Sequence, residues 1–306
     1  MIIGINIDDK EVKKYNDYYK DFLRNILKYY PFISFVELTY LSFNWAEPYN
    51  AKLAKETSSI LKDFPFFYSI HFPEALSYLI KKRYVIKQFL EFSQMINNKW
   101  IVIHSIKESI SPLKFNSSLY SNKKKLNHIN SLQMQKEYDY VNMFLEEISD
   151  DSVSIYIENS LIKPEQSTYS YSSNPLNLAK QIEKFKGKKV YICLDWGHAY
   201  LSSKYLNINF DELITSIFPF VKHMHMHNNY GFKCKSNDCI KHNHPNGDYH
   251  LPIYEGAINF NNFSSLLQNY KDSVALEYTF CNCGDIQEAI NKSLSYLNSL
   301  HYHEDV

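Results

Sequence analysis

VYICLDWGHAY (residues 190–200), VKHMHMHNN (221–229) and DYHLPIYEGAINF (248–260) fall within one span of the chain. The first two open as short apolar runs, the length of a buried parallel strand. Asp195, His198, His225, Asp248 and His250 stand at or just beyond the ends of these runs. Imidazole nitrogen and carboxylate oxygen are ligands of zinc, manganese, iron and cobalt, and a rigid strand end fixes the direction of each. The span reads as the centre of a metal site, and the rest of the chain as its scaffold and remaining ligands.

Outward from this span, strand-like and helix-like stretches alternate. Strands are expected at 2–8, 32–39, 66–72, 100–105, 153–158, 190–194, 221–227 and 274–278. Helices are expected at 10–30, 50–64, 76–96, 131–148, 175–185, 210–217, 260–270 and 285–297, with Ser131 as a cap and Pro175 at a first helical position. Eight strand–helix pairs predict an α/β fold, a (β/α)8 TIM barrel forming a single domain over 1–306. An open doubly wound sheet is the alternative, but it normally brings a Gly-rich phosphate turn, and none is present. Three long connections, 106–130, 160–174 and 229–247, follow strand C-termini, the face where barrel enzymes keep their active sites. They are candidate lids and substrate walls, with Lys123, Lys124 and Lys125 in the first as a solvated loop.

Composition narrows the partners. Among 306 residues Lys+Arg and Asp+Glu balance at 33 each, so no global field attracts nucleic acid or an anionic membrane. Arg24 and Arg83 are the only arginines, which leaves phosphate to lysine, backbone N–H groups or metal. No basic-then-apolar leader and no run of eighteen apolar residues is present, and the expectation is a cytoplasmic protein with a small-molecule substrate. Five cysteines, an odd number, argue against a disulfide framework. Cys234, Cys239, Cys281 and Cys283 flank neighbouring strands at one barrel end and could hold a structural zinc, with His242 and His244 as alternative ligands. Unpaired loop thiols are the simpler reading of those four, and Cys193 reads as a small buried apolar residue.

In the barrel, polar residues at strand C-termini converge on one mouth. His71, His104, Glu158, Asp195, His198, His225 and Glu277 fall there, and the loop after the seventh strand adds Asp248 and His250. A lone strand histidine is usually a hydrogen-bonded core residue, but nine ligand-type side chains at one edge point to metal. His223, His225 and His227 share one face at period two. His225 is the expected ligand, His227 a supporting or substrate contact nearer the mouth, and His223 a deeper core residue.

Around these residues the chain resembles the xylose isomerase-like TIM barrels, which include sugar-phosphate isomerases and epimerases and endonuclease IV. The matching pieces are SIHFPE (69–74), IVIHS (101–105), IYIENS (155–160), CLDWGHAY (193–200), HMHMHN (223–228), DYHLPIYEGAINF (248–260) and ALEYT (275–279). Resemblance to endonuclease IV implies that all nine positions ligate a multinuclear cluster. Resemblance to the epimerases implies a single metal on Glu158, Asp195, His225 and Glu277, with His198 touching substrate.

Two chemistries follow. The first, the expected function, is that of a sugar or sugar-phosphate isomerase or epimerase, which suits the neutral charge: a divalent metal (Zn, Mn, Fe or Co) holds two oxygens of the substrate. Glu158 and Glu277 then move a proton on opposite faces of an enediolate. In the second, favoured by the ligand count, two or three ions hydrolyse a phosphoester, with duplex DNA a less favoured substrate. A non-catalytic metal-binding partner protein is the third reading; a closed four-ligand site would need no spare bases, which argues against it.

Overall fold

The computed structural model describes residues 1–8, 16–39, 51–75, 83–96, 98–109, 123–148, 153–162, 168–231, 247–278 and 286–301. Eight strands close into a parallel ring, and helices pack around them. The strands are β1 (Ile2–Asp8), β2 (Ile33–Thr39), β3 (Phe67–Ala75), β4 (Asn98–His104), β6 (Ser154–Glu158), β8 (Val190–Asp195), β9 (Val221–Met226) and β10 (Ser273–Leu276). They pair in that order, and β10 returns to β1. This is the expected α/β TIM barrel. A separate two-stranded antiparallel sheet, β5 (Glu108–Ser109) with β7 (Thr168–Tyr169), ties the connection after β4 to the one after β6.

Each strand has two faces, and they meet different cores. Outward residues such as Val36, Ile70, Ile101, Ile103, Ile155, Ile157, Ile192 and Leu194 are buried against the helices. Each contributes about 1.5–3 kcal/mol by leaving water. On the helical side, α1 (Asn16–Tyr29) meets them with Phe22, Leu23 and Ile26, spaced as one helical face requires. A second, smaller cluster contains Phe35, Trp100, Val102, Tyr156, Cys193 and Ala275, every one on the opposite strand face and so inside the ring. Parallel register sets such residues side by side, as in Val102 with Tyr156 and Glu158 with Cys193.

The other helices are α2 (Ala51–Lys62), α3 (Arg83–Met95), α4 (Lys123–Glu147), α5 (Pro175–Glu183), α6 (Trp196–Leu206), α7 (Phe210–Ile217), α8 (Ser264–Asn269) and α9 (Ile286–His301). Local chemistry starts several of them. Asn174 Oδ1 accepts from Leu176 N at 3.1 Å ahead of Pro175 in α5. Asn209 Oδ1 accepts from Asp211 N and Glu212 N, and those two acids sit at the positive end of α7.

Three expectations are corrected. α4 begins at Lys123, so Lys123, Lys124 and Lys125 form a first helical turn rather than a loop, and Ser131 lies mid-helix. The buried stripe of α4 includes Asn130, Gln133 and Glu137, which an apolar periodicity does not register, and this hides its start. α6 stands where no helix is expected; Gly197 in its first turn reads as a breaker, whereas Asp195 caps it by accepting from His198 N at 2.7 Å. The stretch expected as one helix over 260–270 starts as a 3-10 turn, Phe260–Phe263, before α8. Cys234, Cys239, Cys281 and Cys283, with His242 and His244, lie outside the described residues. Among the described residues, no helix is long and apolar enough to cross a membrane.

Candidate metal centre

Period two inside the ring arranges inward residues in layers. At the floor are Phe35, Trp100, Tyr156 and His223: the rings of Trp100 and His223 pack within 6.0 Å of each other and of both Phe35 and Tyr156. Above them on the same strands come Glu37 and His225, and at the mouth His71, His104, Glu158, Asp195, His227 and Glu277. Strand ends thus deliver the sequence-predicted residues to one place.

Glu158 joins the two sides of the mouth. Its Oε2 lies 2.9 Å from His71 Nε2 and 3.0 Å from His104 Nδ1, and its Oε1 lies 3.1 Å from His198 Nδ1. His198 Nε2 is 3.2 Å from Asp248 Oδ2, which is 3.5 Å from His250 Nε2. His225 Nδ1 is 3.2 Å from Glu277 Oε2 and 4.0 Å from Glu158 Oε1. Ligand atoms of His71, His104 and Glu158 lie within 4.8 Å of one another, as do those of His198, Asp248 and His250. All nine predicted residues are therefore gathered. Asp195 already has hydrogen-bond partners: its Oδ1 caps α6, and both its oxygens sit 3.0–3.1 Å from His227 Nε2.

Two buried features escape a reading of the sequence. Glu37 lies between His225 Nε2 at 2.7 Å and His223 Nε2 at 3.0 Å, and it also accepts from Asn6 Nδ2 and Ser69 Oγ. Its only signal is one acid inside the apolar run FVEL. Asn228 holds the segment carrying Asp248 and His250. Its backbone exchanges two hydrogen bonds with Leu251, while its side chain donates to Ile253 O and Ile258 O and accepts from Ile258 N. Gly256, at φ 97°, passes so close that a Cβ there would lie 2.7 Å from Asn228 Oδ1. His250 itself adopts φ 47°, a left-handed conformation uncommon for a residue with a Cβ. Trp196, Tyr169 and Tyr171 are buried, so none of these rings faces the mouth as an open stacking surface.

Electrostatics tie the carboxylates to the ionised form. Burial works against charge on Glu158, but His104 and His71 outweigh it and hold its carboxyl well below the usual range. Burial likewise opposes charge on Asp248, and His250 and His198 again prevail. Burial disfavours the charged ring of His198, while Asp195 and Asp248 raise it well above its ordinary value. His250, disfavoured by burial but flanked by Asp248 and Glu277, is raised to about 9. Burial takes His104 down to about 4. Several carboxylates thus crowd one buried space and draw positive charge to it.

The donor set fits divalent ions. His71 Nε2, Glu158 Oε2, His225 Nδ1, Asp248 Oδ1, His250 Nδ1 and Glu277 Oε2 are buried without a hydrogen-bond partner. Pairs such as His71 Nε2 and Glu158 Oε2 sit at hydrogen-bond distance but without hydrogen-bond alignment. Two atoms each about 2.1 Å from one ion lie about 3.0–3.4 Å apart at octahedral or tetrahedral angles. The 2.9–3.2 Å spacings at the mouth are close to that geometry. Zinc, manganese, iron or cobalt ions held at these groups would satisfy the unpaired nitrogen and carboxylate atoms of the mouth.

No family model matches the chain, and no curated protein matches it. Solved structures do, over almost their whole lengths. A D-tagatose 3-epimerase-like protein is 17% identical, with a TM-score of 0.60, over 98% of this chain and 99% of its own. Endonuclease IV from Thermus thermophilus is 12% identical, with a TM-score of 0.55, over 98% of each chain. The IolI protein, solved with a bound zinc atom, is 11% identical, with a TM-score of 0.64, over 99% of this chain and 100% of its own. The chain has the fold of the xylose isomerase-like TIM barrels. The neighbours with that fold are mostly enzymes.

Proposed function

We propose that this protein is a metal-dependent phosphoesterase whose barrel mouth holds two or three divalent ions. The observation that supports this reading is the division of the ligand-type residues into groups. An epimerase-like single site needs Glu158, Asp195, His225 and Glu277. It leaves His71, His104, Asp248 and His250 without a task, yet these four stand at ligand spacing in two triads. Ions held there would activate water and steady an anionic leaving oxygen. Glu158 joins the first triad to His198 of the second, and His225 with Glu277 faces the space between.

With two arginines and no net charge, the chain has little to grip a long polyanion, which favours a small phosphoester. Because endonuclease IV shares the fold, abasic duplex DNA is the second substrate to test. Proton transfer on a ketose or its phosphate is the other reading. It is favoured by the two carboxylates of Glu158 and Glu277 flanking His225 Nδ1 at 4.0 Å and 3.2 Å.

The test is elemental analysis of protein purified without a histidine tag, followed by assays on small phosphodiesters, phosphomonoesters, abasic DNA and ketose phosphates. Two or more equivalents with phosphoester cleavage is the expected result. One equivalent with epimerisation would replace the proposal by the second reading, and no bound metal would overturn both.

A further inference from the structure

We infer that His227 is itself a metal ligand, its Nδ1 forming with His250 and Glu277 a further locus for a divalent transition ion at the rim. The inference deepens the proposed function and rests on it. His227 is fully buried, and its Nε2 sits 3.0 Å and 3.1 Å from the two oxygens of Asp195. A carboxylate accepts from that nitrogen only if Nε2 carries the proton, and in the neutral ring this leaves a lone pair on Nδ1. Nδ1 is buried and has no hydrogen-bond partner. A carboxylate on one ring nitrogen and an unmet lone pair on the other is the arrangement of a metal-ligating histidine.

A similar placement stands one residue pair deeper on this face of the barrel. There the Glu37 carboxylate lies 2.7 Å from His225 Nε2, but without hydrogen-bond alignment, so that both ring nitrogens of His225 lack a hydrogen-bond partner and the parallel with His227 is one of placement. At the rim, ligand atoms of His227, His250 and Glu277 lie within 4.8 Å of one another, and His250 Nδ1 and Glu277 Oε2 also lack partners. Gly197 makes room for the ring, since a Cβ there would stand 2.0 Å from His227 Cε1. His227 stacks on His250 at 4.0 Å and 9°, and imidazole lone pairs lie in the ring plane, so a shared ion requires the stack to tilt open.

The experiment strips the full-length protein with a chelator, reloads it with cobalt or zinc, and counts equivalents by elemental analysis beside the cobalt visible spectrum. His227→Gln places an amide N–H near the position of Nε2, keeping the bond to Asp195 while removing Nδ1. Gly197→Ala leaves His227 in the chain but displaces its ring. Circular dichroism checks folding in both. The expected result is one equivalent fewer than wild type, or at least tenfold weaker binding of one ion, with a changed cobalt spectrum in both variants. Wild-type stoichiometry, affinity and spectrum in folded His227→Gln would overturn the inference and leave His227 as a clamp on Asp195. Wild-type protein that binds no ion at all would instead overturn the proposed function.

Discussion

His223 and His227 occupy the two ends of one face of the strand at Val221–Met226 and its continuation, and the barrel treats them in opposite ways. At the floor, His223 Nδ1 lies 2.7 Å from Ser273 Oγ and its Nε2 3.0 Å from Glu37 Oε2, while its ring stacks on Tyr156. Both nitrogens are met, and the network around Glu37 is closed by Asn6 and Ser69. At the mouth the same residue type has one nitrogen met and one bare, among carboxylates and imidazoles in the same state. A buried polar group without a partner costs about 1–3 kcal/mol. A fold carries several of them in one place when something outside the chain satisfies them. Apart from Trp100 Nε1, which has no partner, the floor is a closed network, while the unmet groups gather at the mouth, and that difference supports the proposed site.

The largest expected effect probes the mouth. Glu158→Gln removes one charge from the residue that touches both triads; bound metal should fall, and phosphoester turnover should drop by roughly 10³-fold. The protein should stay folded. Unchanged metal content and turnover would dissolve the contrast with the floor.

Next comes the floor. Glu37→Ala leaves two buried histidines without their carboxylate and should cost about 3–5 kcal/mol in denaturant unfolding. A loss under about 1 kcal/mol would mean that the network is not a structural keystone.

Glu137 offers a sharper comparison, a buried carboxyl satisfied by hydrogen bonds alone. It accepts from Tyr171 Oη and, at 2.9 Å, from Ile106 N. Burial pushes its carboxyl from 4.5 up to about 7, with Tyr171, Ile106 and Gln181 only partly opposing. A raised carboxyl favours the protonated folded state, so this contribution is fully present below the unfolded value of 4.5 and is lost as pH rises through about 7. The advantage of Glu137→Gln over wild type should therefore grow by roughly 3 kcal/mol between acid and mildly alkaline pH. Parallel stability curves for the two proteins would contradict it. The smallest effect belongs to Asn228→Ala, which frees the backbone groups of Ile253 and Ile258. It should cost about 2 kcal/mol and weaken the triad of His198, Asp248 and His250, read as a lowered melting temperature and lower metal affinity.

The barrel was legible because its strands are short, mainly apolar runs and most of its helices carry a 3–4 spaced apolar face. Where that code lapses, legibility lapses too: α4 buries Gln133 and Glu137 through bonds to Tyr169 O, Tyr171 and Ile106 N, and none of these is local in sequence. The positions of His71, His104, Glu158 and Glu277 at the mouth were readable for the same reason as the strands, since strand ends in a parallel ring have one destination.

The amino-acid sequence by itself determined the alternation of strands and helices and the ligand-type side chains at the strand ends, because period and strand polarity are local properties of the chain. Only the tertiary structure decided which nitrogen of each histidine is bare and which carboxylate stands behind it. It also decided that Asn228 anchors the segment of Asp248 and His250. Those relations join residues as distant as Glu37 and His223, and they depend on the closure of the barrel, which no local pattern encodes.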